Sequence, residues 1–413
     1  ITKLIAFSHL FCNSKIIIAC RDNFYNQAFA RTHNGRPLFS IFKLKELDHW
    51  SIVRFISKTI GESQTEVFMN MIHEQGLYNI LSSPFFLKYI LKIYIDEKRL
   101  PNSKVEIFEK LIDHRFIKDK ERFATKGIKI DKKQLLIKKE IQRLALIIES
   151  MGRNYITDLE FEQIIPDYDG IRQLVEHSFL FDRTKTRIWQ FEHNNFQEYL
   201  AASALANKGF ENIKKLIAIP PDYKIIKPTW VNTIAFLIIL IKKESKVFNA
   251  ILGWLLEVDR ELLLRFEKER VDLEIRESIF VAILEDYQSK GIVTRSEKFD
   301  IRDLAKFISD SEKMILYLIN RLEQTDKHLI IAEICSILPR LEHSKKSKGR
   351  IQMALEDHIK NANAQEESKC YCLYALAELN WQQKDSFVAF LPSLNLESSQ
   401  YERSGVYKYL TSS

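Results

Sequence analysis

The chain has 413 residues, of which 46% are hydrophobic and 28% charged, with a formal net charge of +7. That is the balance of a soluble globular protein with room for roughly two to four domains. Lys and Arg are spread among Asp and Glu, so no basic tail marks a nucleic-acid partner, and nucleic acid is not expected. The five cysteines are odd in number and include no C-x-x-C pair, which argues against a disulfide framework or a zinc site and for a reducing cytoplasm. Ile234 to Ile241 is the longest apolar run, far short of the ~18–20 residues of a membrane span. No signal peptide is visible, and no membrane partner is expected. With Gly at 11 and Pro at 9, helix breakers are scarce, and a mainly α fold is predicted. The start at Ile1 reads as the middle of a domain, so the chain is taken as a fragment.

Residues 1–47 alone have α/β character. Lys15 to Cys20 is a continuously apolar, β-branched run suited to a strand buried on both faces, ending at Arg21; a second strand is predicted over Phe39 to Leu44. From Asp48 the pattern becomes helical. Asp48 is placed to cap a helix whose face carries Ile52, Phe55, Ile56 and Ile60, and Gly61 stops it. Further helices are predicted over Thr65 to Glu74, over Phe85 to Tyr94 with Pro84 at its first turn, and over Lys104 to Glu121. Residues 48–127 thus form a helical bundle. Residues 128–209 read as helix, helix, helix, hairpin: Lys133 to Ser150, a helix opened by the capping box Thr157 to Glu160, Ile171 to His177, then strands Phe179 to Asp182 and Arg187 to Phe191. A helix follows from Asn194 to Asn207. Residues 210–413 are helix after helix, with a capping box predicted at Ser309 to Glu312, and suggest an α-solenoid resembling HEAT repeats. Cys370 and Cys372 are read as two half-buried residues of one of these helices.

No G-x-x-x-x-G-K-[ST] loop occurs, so this fragment should neither bind nucleotide tightly nor hydrolyse it. Yet the stretch Phe191-Glu192-His193-Asn194-Asn195-Phe196-Gln197-Glu198-Tyr199-Leu200-Ala201-Ala202 spells F-x-H-x-x-F-Q-E-Y-L-A-A at a strand–helix junction. It resembles the end of the winged-helix domain in NACHT-type signalling NTPases of the STAND class. Two further segments resemble that family in the same order. Ile16 to Arg21 looks like the strand ending in the arginine that senses the γ-phosphate, and Ser83-Pro84-Phe85 looks like the proline motif of the helical lid. The missing phosphate loop and acid pair depart from the family, as does Cys20 where Thr or Ser is common.

The resemblance implies a remnant of an α/β nucleotide-binding domain (1–47), a helical lid domain (48–127), a winged helix (128–209) and a HEAT-like sensor region (210–413). It implies ATP or ADP with Mg as cofactor of the intact protein, contacted here by Arg21, Pro84 and His193. ATPase activity is expected only of the intact protein. A protein or other macromolecular ligand of residues 210–413 would open the clamp and drive self-oligomerisation, in bacteria often for antiviral defence. Two other readings compete. One is a winged-helix nucleic-acid binder using Arg172, Gln173 and His177 with Arg183 and Lys185 on phosphates. The other is an α-solenoid scaffold without a switch.

Overall fold

The computed structural model describes residues 44–379 apart from 75–76, 102–103, 126–133, 166–169, 179, 185–186, 291–298, 300, 343 and 362, together with residues 7, 17, 32–33, 36–37 and 42. The described chain is mainly α-helical with small antiparallel sheets. It divides after Ala250 into two units, and the division falls inside one helix, Lys246–Val258. Two-residue strands β1 (Thr32–His33) and β2 (Arg36–Pro37) pair antiparallel. The strands predicted at 15–20 and 39–44 lie outside the described residues except for Ile17, Phe42 and Leu44, which are exposed and in no regular structure.

In the first unit, α1 (His49–Ile60) starts where the Asp48 carboxylate accepts the Ser51 N–H at 2.7 Å. Hydrogen bonding from the Ser51 side chain, and after it from this N–H, holds the Asp48 carboxyl below its ordinary range. Gly61 ends the helix at φ +85, a conformation that carries no side-chain clash in glycine. Ile52 and Ile56 take the buried face, whereas Phe55, expected beside them, is exposed at the edge of the stripe. Next come α2 (Glu62–Glu74), α3 (Pro84–Glu97) and α4 (Lys104–Thr125). Pro84 occupies the first turn of α3, where its missing N–H breaks no helical bond.

The following elements are α5 (Gln134–Ser150), β3 (Tyr155–Thr157), α6 (Asp158–Ile164), α7 (Ile171–Glu176), β4 (Phe181–Arg183), β5 (Ile188–Phe191) and α8 (Asn194–Leu205). The three strands form one antiparallel sheet in the order β3-β5-β4, with Tyr155 opposite Gln190 and Phe181 opposite Phe191. The predicted hairpin is there, but β3 was not anticipated. Thr157 both ends β3 and caps α6. Its hydroxyl accepts the Glu160 N–H at 3.3 Å, and the Glu160 carboxylate accepts the Thr157 N–H at 2.8 Å. Phe161 and Phe181 stack on Trp189 at centroid distances of 4.4 and 5.6 Å, which seals the sheet against α6.

The unit continues through α9 (Phe210–Ile217), the hairpin of β6 (Ala218–Ile219) and β7 (Ile225–Ile226), and α10 (Val231–Leu240), which packs on α8. These helices fall in the first unit. One physical tie is Thr233 of α10, which donates to the buried Glu149 of α5.

Beyond α11 (Lys246–Val258), the second unit holds α12 (Leu273–Ser289), α13 (Ile301–Phe307), α14 (Glu312–Gln324), α15 (His328–Ile337), α16 (Lys345–Lys360) and α17 (Glu366–Glu378). Helices pack both on the next helix and on the one after it: α14 meets α15 and α16 meets α17, while α13 meets α15, α14 meets α16 and α15 meets α17. The capping box read at Ser309 does not form. Ser311 caps α14 instead, accepting the Met314 N–H, while the Ser309 hydroxyl binds Lys268 and Glu342. Cys370 and Cys372 are helical as expected but fully buried rather than half-buried, and the Cys372 Sγ lies 3.6 Å from that of Cys335.

Candidate functional site at the strand–helix junction

Of the residues proposed to line a nucleotide cleft, Arg21 lies outside the described residues, while Pro84 and His193 fall on neighbouring elements. His193 is the residue between β5 and α8. Its backbone is extended and its ring caps α8, with Nδ1 accepting the Asn195 N–H at 3.1 Å. A neutral ring that accepts through Nδ1 carries its proton on Nε2, so Nε2 is the donor. His193 and Pro84 are both exposed. Between them stands Phe85, the residue after Pro84, whose ring centroid is 4.3 Å from that of His193 at an interplanar angle of 33°. The start of α3 and the start of α8 therefore meet through two rings in tilted contact.

The floor under this contact is aromatic. Phe85 packs against Phe108 of α4 and Phe196 of α8, each at 5.9 Å. Phe108 stacks on Tyr199 and meets Phe236 of α10 edge-on, both at 4.9 Å. Phe108 and Phe196 are fully buried. Such pairs add direction to the burial of apolar area.

Beside the rings lies a charged grip. Arg115 of α4 donates from Nε and Nη2 to the two oxygens of Glu192, at 2.8 and 2.6 Å, and Nη2 also reaches the Tyr89 hydroxyl at 3.3 Å. Glu192 immediately precedes His193, so this fork pins the junction to α4. Burial, aided by the Glu192 charge, pushes the Tyr89 phenol above its ordinary value.

The rest of the quoted motif is structural. Gln197 donates to the buried carboxylate of Glu149 at 2.6 Å and to the Arg153 carbonyl at 3.1 Å. Thr233 donates to the other Glu149 oxygen at 2.9 Å, and Asn232 donates to Glu198 at 3.2 Å. Gln197 and Glu198 thus bolt α8 to α5 and α10. Sequence reasoning missed Arg115, Glu192 and Glu149. Arg115 and Glu192 are 77 positions apart, and no local pattern links them.

Two residues of the nucleic-acid reading, Arg172 and Arg183, are engaged within the chain. Arg172 donates to the carbonyls of Glu162 and Ile165. Arg183 is forked onto Asp158, with Nε at 2.8 Å from Oδ1, and Asp158 also accepts the Trp189 indole N–H. These bonds hold the Asp158 carboxyl below its usual range, Arg183 first and Trp189 after it. Lys185 lies outside the described residues. Among the described residues no group of His, Cys, Asp and Glu is arranged to hold a metal ion. Compared with protein-family models and with curated proteins, the chain matches none.

Proposed function

We propose that this chain is the regulatory portion of a nucleotide-gated switch of the STAND class, with the phosphate-binding loop supplied from outside these 413 residues. In this reading residues 48–127 are the lid, and residues 128–209 are a winged helix used as a latch. The sheet order β3-β5-β4 around three helices supports the winged helix. The observation that carries the reading is the Phe85–His193 ring contact, which brings the lid's proline turn and the latch histidine to one exposed edge. ADP held there would meet a hydrogen bond from His193 Nε2, and ATP exchange would favour the arrangement in which the two helix starts separate. The packing of α13 to α17 on their next and next-but-one neighbours supports a solenoid-like sensor for a macromolecular ligand.

The nucleic-acid alternative is weaker, because Arg172 and Arg183 would have to surrender intramolecular partners to reach phosphates. The test is nucleotide retention in the full-length protein. His193→Ala is expected to purify with less bound ADP than the parent and to signal without ligand. Equal ADP content and equal basal signalling in the two proteins would overturn the proposal.

A further inference from the structure

The segment from Lys208 to Lys227 builds a rigid base with an apolar tip. Ile213, Ile217, Ala218 and Ile226 are buried and anchor α9 and the β6–β7 hairpin to the core. On the opposite face, Ile219 and Ile225 are direct cross-strand partners, 41% and 61% exposed. The turn residues Pro220, Pro221 and Asp222 are exposed as well, so the apolar pair sits on an outward turn rather than in a groove.

The charge around the tip is mostly positive: five lysines against Glu211 and Asp222. Lys208, Lys215 and Lys224 are exposed, and among the described residues none of the three is in an ion pair. Asp222 turns its carboxylate back onto the Lys224 N–H at 3.3 Å. Lys214 lies over the rings of Phe210 and Tyr223 at 5.8 and 6.0 Å, and Lys227 donates to the Leu216 carbonyl at 2.7 Å.

We propose that this hairpin is a docking surface for an anionic lipid bilayer. Ile219 and Ile225 would enter the boundary between headgroups and acyl chains, Tyr223 would sit at headgroup level, and the exposed lysines would face anionic lipid. Apolar area set among lysines is the combination that holds a protein on such a surface, and a convex tip needs no matching pocket. No helix among the described residues is long and apolar enough to cross a membrane, so the contact is peripheral. This inference is independent of the nucleotide switch.

The test is co-sedimentation of the full chain with vesicles of phosphatidylcholine alone or mixed with phosphatidylserine. Pelleting is expected only with the anionic vesicles and should weaken with salt. Lys215→Ala and Lys224→Ala should each lower the partition coefficient roughly fivefold. Ile219→Ser with Ile225→Ser should reduce pelleting to background with the circular dichroism spectrum unchanged, since both side chains are exposed. No pelleting, equal pelleting with neutral vesicles, or pelleting unaffected by the isoleucine variant overturns the proposal. Salt-sensitive binding to polyglutamate without vesicle binding overturns it too, in favour of an acidic protein partner.

Discussion

The grip of Arg115 on Glu192 can be dissected by Arg115→Met and Glu192→Gln, made singly and together. The Arg115 side chain is 10% exposed and that of Glu192 38%. Two unit charges about 4 Å apart at an effective dielectric of ~20 attract by about 4 kcal/mol. Desolvation of the guanidinium and solvent around Glu192 remove roughly half, which leaves a coupling of about 2 kcal/mol. The single changes are not equivalent. Glu192→Gln leaves a nearly buried guanidinium without its counter-charge, with one glutamine oxygen and the Tyr89 hydroxyl left to accept from it, whereas Arg115→Met leaves a carboxylate able to turn into water. Glu192→Gln should therefore be the more destabilising of the two. Urea unfolding of the four proteins yields the coupling. Hydrogen exchange of peptides covering residues 181–205 gives a local readout, needed because a chain of two units need not unfold in one step. A coupling below about 0.5 kcal/mol, no larger than the scatter between independent sites, would refute the assignment of this pair as the pin of the junction.

Thr233→Val preserves shape but removes a donor from Glu149, which is 4% exposed. It should cost about 1–3 kcal/mol and lower the melting temperature of the first unit by roughly 2–10 °C, with Thr233→Ser close to the parent. A valine variant that melts with the parent would contradict this. In the second unit, the hydrogen bonds from Arg276 depress the Asp310 carboxyl from 3.8 to about 2. Because the folded value lies below the unfolded one, the stabilisation is complete above about pH 4 and is lost as pH falls toward 2. The Asp310 side chain is 36% exposed, so solvent limits the effect to about 1 kcal/mol. Asp310→Asn should flatten the fall of the urea midpoint over that range, and parallel pH profiles for the two proteins would contradict the assignment.

Local chemistry was the legible part of the sequence. Asp48 and the Thr157–Glu160 box announce helix starts through bonds that span three residues, and Pro84 through the N–H it lacks; all three do so in the structure. What failed to show was short or remote. Strand β3 has three residues and runs directly into a cap, so its Tyr155-Ile156-Thr157 spelling merged with the helix that follows; its β-branched pair was the available signal. At Ser309 and Ser311 two serines competed for one cap. Tertiary partners at Lys268 and Glu342 decided between them, which no window of sequence contains. At the candidate site, His193 and Pro84 stood out in the sequence. Their meeting through Phe85 and the Arg115 fork did not, because both depend on how distant helices close on one another.

The ring column of Phe85, Phe108, Phe196, Tyr199 and Phe236 draws its members from four helices, so it behaves as a detent rather than a bearing. Close-packed aromatic rings do not slide through intermediate registers. Turning α8 away from α3 must unseat the column in one step and find another seat for it. The input of the switch proposed above would thereby be converted to an all-or-none click, with its threshold set by the rings rather than by the trigger.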